Sequence, residues 1–417
     1  MHAFDPVQLA KSQLASDRAK TARFPGLYER KIARMSASPL AFLRGAAPMF
    51  YQMLAARPEL ARGPKGEGWL TGDLHLENFG AYRPDHGSYD DHGAHKHDAP
   101  IATFNLNDFD DAFVGPWRID VLRLTTSLVL GGRELGADGH RALELCYRLL
   151  DAYVASAFGP PRPVPLPRPV EALIGQVHDR TRVELLEGRT VLHHGERRLA
   201  RGERYRALAR GVVAKVPGAF AKYVAKLDPE ERPSDDELSI LDVALRVAGT
   251  GSLGGLRIAV LVRGKGGSDG SWLFDMKEQG VPSAADLYGK RVGAMDPGTR
   301  VVTAIEACLE HPPRMIGTTK LGGISMFVRR LSPQEDKLDL SRIQDADLNA
   351  LATYLGSLVG TAHRRGASTP ATKAADRKRW SAADCDGIVD RAITIAGIHE
   401  ATYLALCKLT GSRPAGR

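Results

Sequence analysis

The chain has 417 residues, 43% hydrophobic and 25% charged, which excludes a disordered or collagen-like protein and leaves room for two or three structural units. Its 57 Lys and Arg outnumber 49 Asp and Glu by a formal +8, but they scatter in small clusters. That argues against a nucleic-acid binder and fits a solvated surface or an anionic ligand such as a nucleotide. No run approaches the roughly 18 uncharged apolar residues of a membrane helix, residues 1–6 show no secretory leader, and Cys146, Cys308, Cys385 and Cys407 form no CxxC pair. A reducing, cytoplasmic setting without a membrane is the expectation.

In chain order, residues 28–55 read as mostly helical, with Ser38 as an N-cap ahead of Pro39. A short apolar run at 69–71 is broken by Gly72-Asp73. Residues 81–99 are a polar loop rich in His, Asp and Gly, and 101–106 alternate like a strand. Residues 119–130 and 142–158 are helical. Prolines 160, 161, 163, 165, 167 and 169 cannot propagate a helix and predict an extended connector. Residues 170–245 read as largely helical and charged. From Gly249 the pattern changes: strands at 256–262 and 272–277 flank the glycine turn 264–270, predicting a hairpin. A helix at 298–310 and a strand at 326–328 follow. Leu348, Leu351, Leu355, Leu358, Val359 and Ala362 share the face of a buried amphipathic helix, and 381–409 is helical again. The fold class is α+β, with small sheets among many helices.

Three clusters carry chemistry. Asp73 and Asn78 have the D-x-x-x-x-N spacing of a phosphotransferase catalytic loop, in which a carboxylate accepts the proton of an attacking hydroxyl and a neutral amide ligates Mg²⁺. Asn107-Asp108-Phe109-Asp110-Asp111 ends the strand that follows; carboxylates crowded this way call for a hard cation that holds phosphates, with Asp108 and Asp110 as ligands. Gly249-Thr250-Gly251-Ser252-Leu253-Gly254 leads into the hairpin that carries Lys277. That is the setting of a phosphate-covering loop: Gly249, Gly251, Ser252 and Gly254 bring backbone N–H groups to the phosphates, and Lys277 adds a positive charge. Lys277 needs a carboxylate to orient it; Glu306 is the first candidate, with Glu278 and Glu310 as rivals.

Residues 34–45, 72–80 and 107–111, Gly115-Pro116-Trp117 with Asp120 and Arg123, residues 249–254, Lys277-Glu278, residues 300–302 and Ala362-His363 together resemble the DUF2252 family over roughly residues 20–375. The resemblance implies a protein-kinase-like two-lobe fold related to aminoglycoside phosphotransferases and choline kinases. Thr303 stands where the family's acidic residue is expected. The motif order is unusual, because Asp73 and Asp108 precede Gly249 and Lys277. A circular permutation accounts for it. On that reading 1–159 is the catalytic half of a helix-rich large lobe, and 160–240 a connector with helices. Residues 241–335 form a small antiparallel-sheet nucleotide lobe, and 336–417 are helices completing the large lobe.

The function expected is ATP- and Mg²⁺-dependent phosphoryl transfer to a small-molecule or protein acceptor, with Asp73 as base. Transfer of AMP on the same fold, or nucleotide binding without catalysis, are the alternatives. Further expectations concern supporting residues. His75 and Asp120 brace the catalytic loop, Arg329-Arg330 lie where the lobes join, and His86, His92, His95 and His97 give a substrate cover before a zinc site.

Overall fold

The computed structural model of the chain describes residues 5–84, 102–160, 162–229, 232–367 and 378–414. His86, His92, His95 and His97 lie outside these, and with them the zinc and cover readings of their loop.

The N-terminal region is helical: α1 Pro6–Thr21, α2 Leu27–Met35, α3 Pro39–Gly45, α4 Ala47–Ala56 and α5 Pro58–Ala61. Ser38 Oγ accepts from Ala41 N at 3.1 Å, the cap expected ahead of Pro39. Strand β1 Glu67–Leu70 pairs antiparallel with β4 Phe113–Pro116, and β2 Phe79–Tyr82 pairs with β3 Thr103–Leu106. Helix α6 Arg118–Glu134 and helix α7 Gly139–Phe158 follow. Residues 162–167 hold no helix or strand, and α8 starts at Arg168–His178 with Pro169 in its first turn.

Residues 170–245 depart from the helical expectation. Beside α8, α9 Arg182–Glu187, α10 Arg210–Val213 and α11 Val216–Val224 they contain the hairpin β5 Thr190–His193 and β6 Glu196–Leu199, then β7 Tyr205–Arg206 and β8 Ile240–Arg246. β8 is half-buried along most of its length, and its charged residues hid its alternation. Next come β9 Arg257–Val262, β10 Trp272–Glu278, α12 Ala285–Tyr288, α13 Pro297–Cys308, β11 Gly317–Leu321 and β12 Ile324–Leu331. Six of these strands form one antiparallel sheet in the order β11-β12-β10-β9-β8-β7. β13 Asp336–Lys337 leaves that sheet and joins β2. The chain closes with the long helices α14 Asp345–Gly366 and α15 Ala382–Thr410, the latter opened by a Ser381/Asp384 capping box.

Among the described residues two large cores dominate, beside three smaller apolar clusters. The larger gathers the apolar faces of α6, α7, α14 and α15 around residues such as Trp117, Leu149, Tyr153, Leu355 and Ile388. The smaller sits between the sheet and α11, with Phe220, Tyr223, Phe274, Met276 and Val328. The architecture is α+β, with a helix-rich region and separate antiparallel sheets. All four cysteines are buried and unpaired. Among the described residues no helix is long and apolar enough to cross a membrane.

Candidate active site

The turn after β1 carries Asp73, and a buried carboxylate holds it in place. Asp120 of α6 is fully buried. It accepts from Thr71 N at 2.7 Å, Thr71 Oγ1 at 3.0 Å and Gly72 N at 2.9 Å. His363, near the end of α14, places Nε2 3.4 Å from the same carboxylate and Nδ1 3.0 Å from Tyr153 Oη. The helix that ends near His363 thus packs beside the Asp73 loop. Gly72 has φ +80°, and a Cβ there would overlap the Asp111 carbonyl oxygen. Only glycine fits that approach. Further along, His75 Nδ1 accepts from Glu77 N at 3.2 Å, and burial first, then Arg44 and Arg123, hold its pKa well below the usual value. It is a neutral brace.

Arg123 lies one turn along α6 from Asp120 with no exposure. Its Nε donates to Asp73 Oδ1 at 2.7 Å and its Nη2 to Leu43 O at 2.8 Å. Asp73 Oδ2 keeps no hydrogen-bond partner among the described residues. Burial raises the Asp73 pKa to about 7, opposed by Arg123 and assisted by Asp111 and Asp108. A carboxyl poised there suits proton transfer near neutrality. Asn78 is buried, and its Oδ1 accepts from His75 N at 2.7 Å, so one of its two lone pairs is committed to the loop.

Lys277 on β10 forms an ion pair with Asp110, and Gln279 Nε2 donates to the other Asp110 oxygen at 2.9 Å. This corrects two expectations. Asp110 serves as the carboxylate partner of Lys277 and does not stand open to a cation. Glu306 does not orient Lys277: it lies on the exposed face of α13, its pKa raised by burial alone. Glu278 is engaged by Arg23 at 2.5 Å. The reason is helical phase, since α13 turns Val301 and Ile305 toward the cleft. Asp108 makes no ion pair with a described residue. Burial pushes its pKa up, but Lys277, Lys337 and Arg257 overcome this and leave it lowered, so it is an anion.

Arg300 of α13 ties the Asp108 loop to the sheet region. It is buried, donates from Nη2 to Asp110 O at 2.7 Å and Gly280 O at 3.1 Å, and reaches Ala112 O through Nη1.

The Gly-rich loop between β8 and β9 is held by the N-terminal helices. Lys20 Nζ donates to Gly251 O at 3.0 Å, and Arg34 donates to Gly249 O. A Cβ on Gly254, φ +100°, would stand 2.5 Å from Lys20 O. Gly254 is therefore needed for packing on α1, while Gly249, Gly251 and Ser252 line the cleft.

One cleft of about 480 Å³ contains Asp73, Asn78, Asp108, Asp110 and the Gly249–Ser252 loop. It meets a chamber of about 290 Å³ under the sheet that holds Lys277, with Asp108, Asp110 and Lys337 shared by both. Among the described residues no three His, Cys, Asp or Glu side chains form a ready metal cage. The donors that fit a hard cation are the Asp108 carboxylate and the second lone pair of Asn78. One contributor, Lys337, escaped the sequence reading. Lys337 faces Asp108 from β13 and donates to Glu77 O at 3.1 Å. Arg123 and Arg300 entered the sequence reading only through the family resemblance, without a role; their contacts with Asp73 and with the Asp108 loop come from the fold. Of the two arginines expected where the lobes join, Arg329 lines the chamber and pairs with Glu335 at 3.1 Å.

No curated protein and no solved structure matches the chain. The family model described as "uncharacterized protein conserved in bacteria (DUF2252)" matches residues 23–158 and 165–409, and the chain belongs to that family.

Proposed function

We propose that the protein is an ATP- and Mg²⁺-dependent phosphotransferase on a circularly permuted kinase-like fold, acting on a hydroxylated or aminated acceptor. The observation that carries the reading is convergence. Asp73, Asn78, Asp108, the Gly249–Ser252 loop and the Lys277 strand come from distant parts of the chain yet border two adjoining cavities that share Asp108, Asp110, Gly249, Ser252 and Lys337. Lys277 lies on the third strand counted from the one that enters the glycine loop, which is where a kinase carries its phosphate lysine.

Each residue has a distinct task. Arg123 holds Asp73 by Oδ1 and leaves Oδ2 to accept the acceptor's proton. Lys277, oriented by Asp110, neutralises phosphate charge. Asp108 and Asn78 would hold the cation, which when bound screens the phosphates and polarises them.

The test is calorimetry of ATP binding with and without Mg²⁺, followed by transfer assays on a bacterial metabolite extract with ATP labelled at the γ- or α-phosphate. Mg²⁺-dependent binding lost in Lys277→Met, with γ-label in a product, is expected. Asp73→Asn should cut transfer by about 10²–10⁴ while leaving ATP affinity within a few-fold. Transfer of α-label instead would favour AMP transfer; binding indifferent to metal and to Lys277 would sink the site.

A further inference from the structure

The floor of the sheet carries an arrangement that none of these roles uses. The β9–β10 register sets Arg257 opposite Lys277. The β8–β9 register sets Leu245 opposite Ile258, so one step on Arg246 comes abreast of Arg257. Three cations thus stand side by side on adjacent strands, and all three line the chamber below the sheet. Like charges placed directly across a sheet are destabilising.

The next row explains how the arginines are held. It reads Ala244, Ala259 and Asp275. The two alanines are fully buried, and their small side chains leave space for the arginine stems to lie along the sheet. Asp275, 2% exposed, accepts from Arg257 Nε at 2.8 Å and Nη2 at 2.5 Å, and from Arg246 Nη1 at 2.5 Å. One arginine would have satisfied that carboxylate. The second adds a positive charge to the chamber, where the carboxylates of Asp110 and Asp108 act on Arg257 through space.

Two donors are left over. Arg246 Nε is buried with no hydrogen-bond partner among the described residues. Arg257 commits Nε and Nη2 to Asp275, while its Nη1 lies 3.9 Å from where a Gly249 Cβ would stand. It therefore sits beneath the glycine loop, on the side of the cleft that Asp108 also borders.

We propose that Arg246 and Arg257, clamped by Asp275, form a phosphate-binding subsite that takes the phosphate chain of a nucleoside triphosphate together with Lys277. The nucleotide as ligand rests on the function proposed above; the anion chemistry of the subsite does not. The Arg257 guanidinium, fixed on two of its nitrogens, offers the third without further ordering, a preorganised donor for a phosphate oxygen, and Arg246, held through Nη1, adds its unpartnered Nε.

The experiment uses inorganic tripolyphosphate, ATP and adenosine as separate titrants of the full chain, with thermal melting alongside. The wild type should bind tripolyphosphate with affinity that falls as salt rises, and should melt higher in its presence. Arg257→Met should weaken tripolyphosphate and ATP roughly ten- to hundred-fold and lose the ligand-induced rise in melting temperature. Arg257→Lys, which keeps the charge but not the fork, should recover only part. Arg246→Met, which leaves Asp275 paired with Arg257, is a second probe should Arg257→Met not fold, with the same direction of effect. Folded variants that bind tripolyphosphate as the wild type does would reduce the cluster to a structural ion triad. A wild type that binds no tripolyphosphate overturns the subsite outright. Tripolyphosphate bound through Arg257 without ATP affinity would sink the nucleotide reading and keep the subsite. ATP turnover untouched by Arg257→Met would do the reverse.

Discussion

Asp73 and Arg300 illustrate how much rests on single side chains. The Asp73 carboxyl titrates near pH 7 because burial outweighs its ion pair with Arg123. In the function proposed above it acts as the base and must be ionised, so transfer should fall about tenfold per pH unit below that value. A rate–pH profile that stays flat down to pH 5 would remove Asp73 from that role. The stability sign is opposite. Its folded pKa is raised, so its contribution is present below the ordinary carboxylate range and is lost as pH rises through about 7. Denaturation at several pH values should show the wild type gaining on Asp73→Asn as the pH drops from above 7 toward about 4. Arg300 supplies donors to three backbone carbonyls from a buried position. Arg300→Met strands those acceptors and should cost about 2–4 kcal/mol in urea unfolding. A loss under about 0.5 kcal/mol would mean water replaces the guanidinium. That Asp73, Asn78 and Asp108 would share one cleft was legible in their spacing and strand-end positions. Asp110 and Glu306 were not, since a lysine's partner depends on which side chains the folded backbone brings within reach.

Helices α7 and α14 make the most extensive contact of any two elements among the described residues, and small residues make that possible. A Cβ on Gly356 would overlap the Leu149 carbonyl oxygen, and one on Gly360 would come 2.5 Å from Tyr153 O. The approach brings His363 against Tyr153 and, through Asp120, against the Asp73 turn. Gly356→Ala should therefore destabilise by about 1–3 kcal/mol despite alanine's better helix propensity. Gly175→Ala in α8, where an added Cβ meets nothing within 4 Å, is the control and should stabilise by up to about 1 kcal/mol. Equal effects at the two sites would show that the helices separate without penalty. The face of α14 was readable from its leucine spacing. The strands β8 and β11 were not, because short half-buried strands with charged residues carry little of the two-residue period, and pairing with β9 and β12 supplies what local pattern lacks.

At the scale of the whole molecule, α1 packs against α15 through Ala10, Tyr403 and Leu406, so the first and last helices lie together. A permutant opened within 162–166, with the present ends joined by a flexible linker, would place Gly249–Gly254 and Lys277 ahead of Asp73. It should fold cooperatively, melt within several degrees of the parent and keep Mg²⁺-dependent ATP binding, because the connector holds no helix or strand to break. A permutant that folds but loses the ligand would mean that the connector shapes the cleft. What the sequence determined by itself was local: the long helices, the glycine and proline turns, and which polar residue types stand close together along the chain. Each of these depends on neighbours a few residues apart, through periodicity, capping and glycine or proline backbone limits. Only the tertiary structure decided which charges meet. The Lys277–Asp110 pair, the Arg300 clamp, the brace from His363 through Asp120 to Gly72, and the row of cations on the sheet all join residues remote in sequence. Strand register and helix phase bring them together, and burial then sets their charge states.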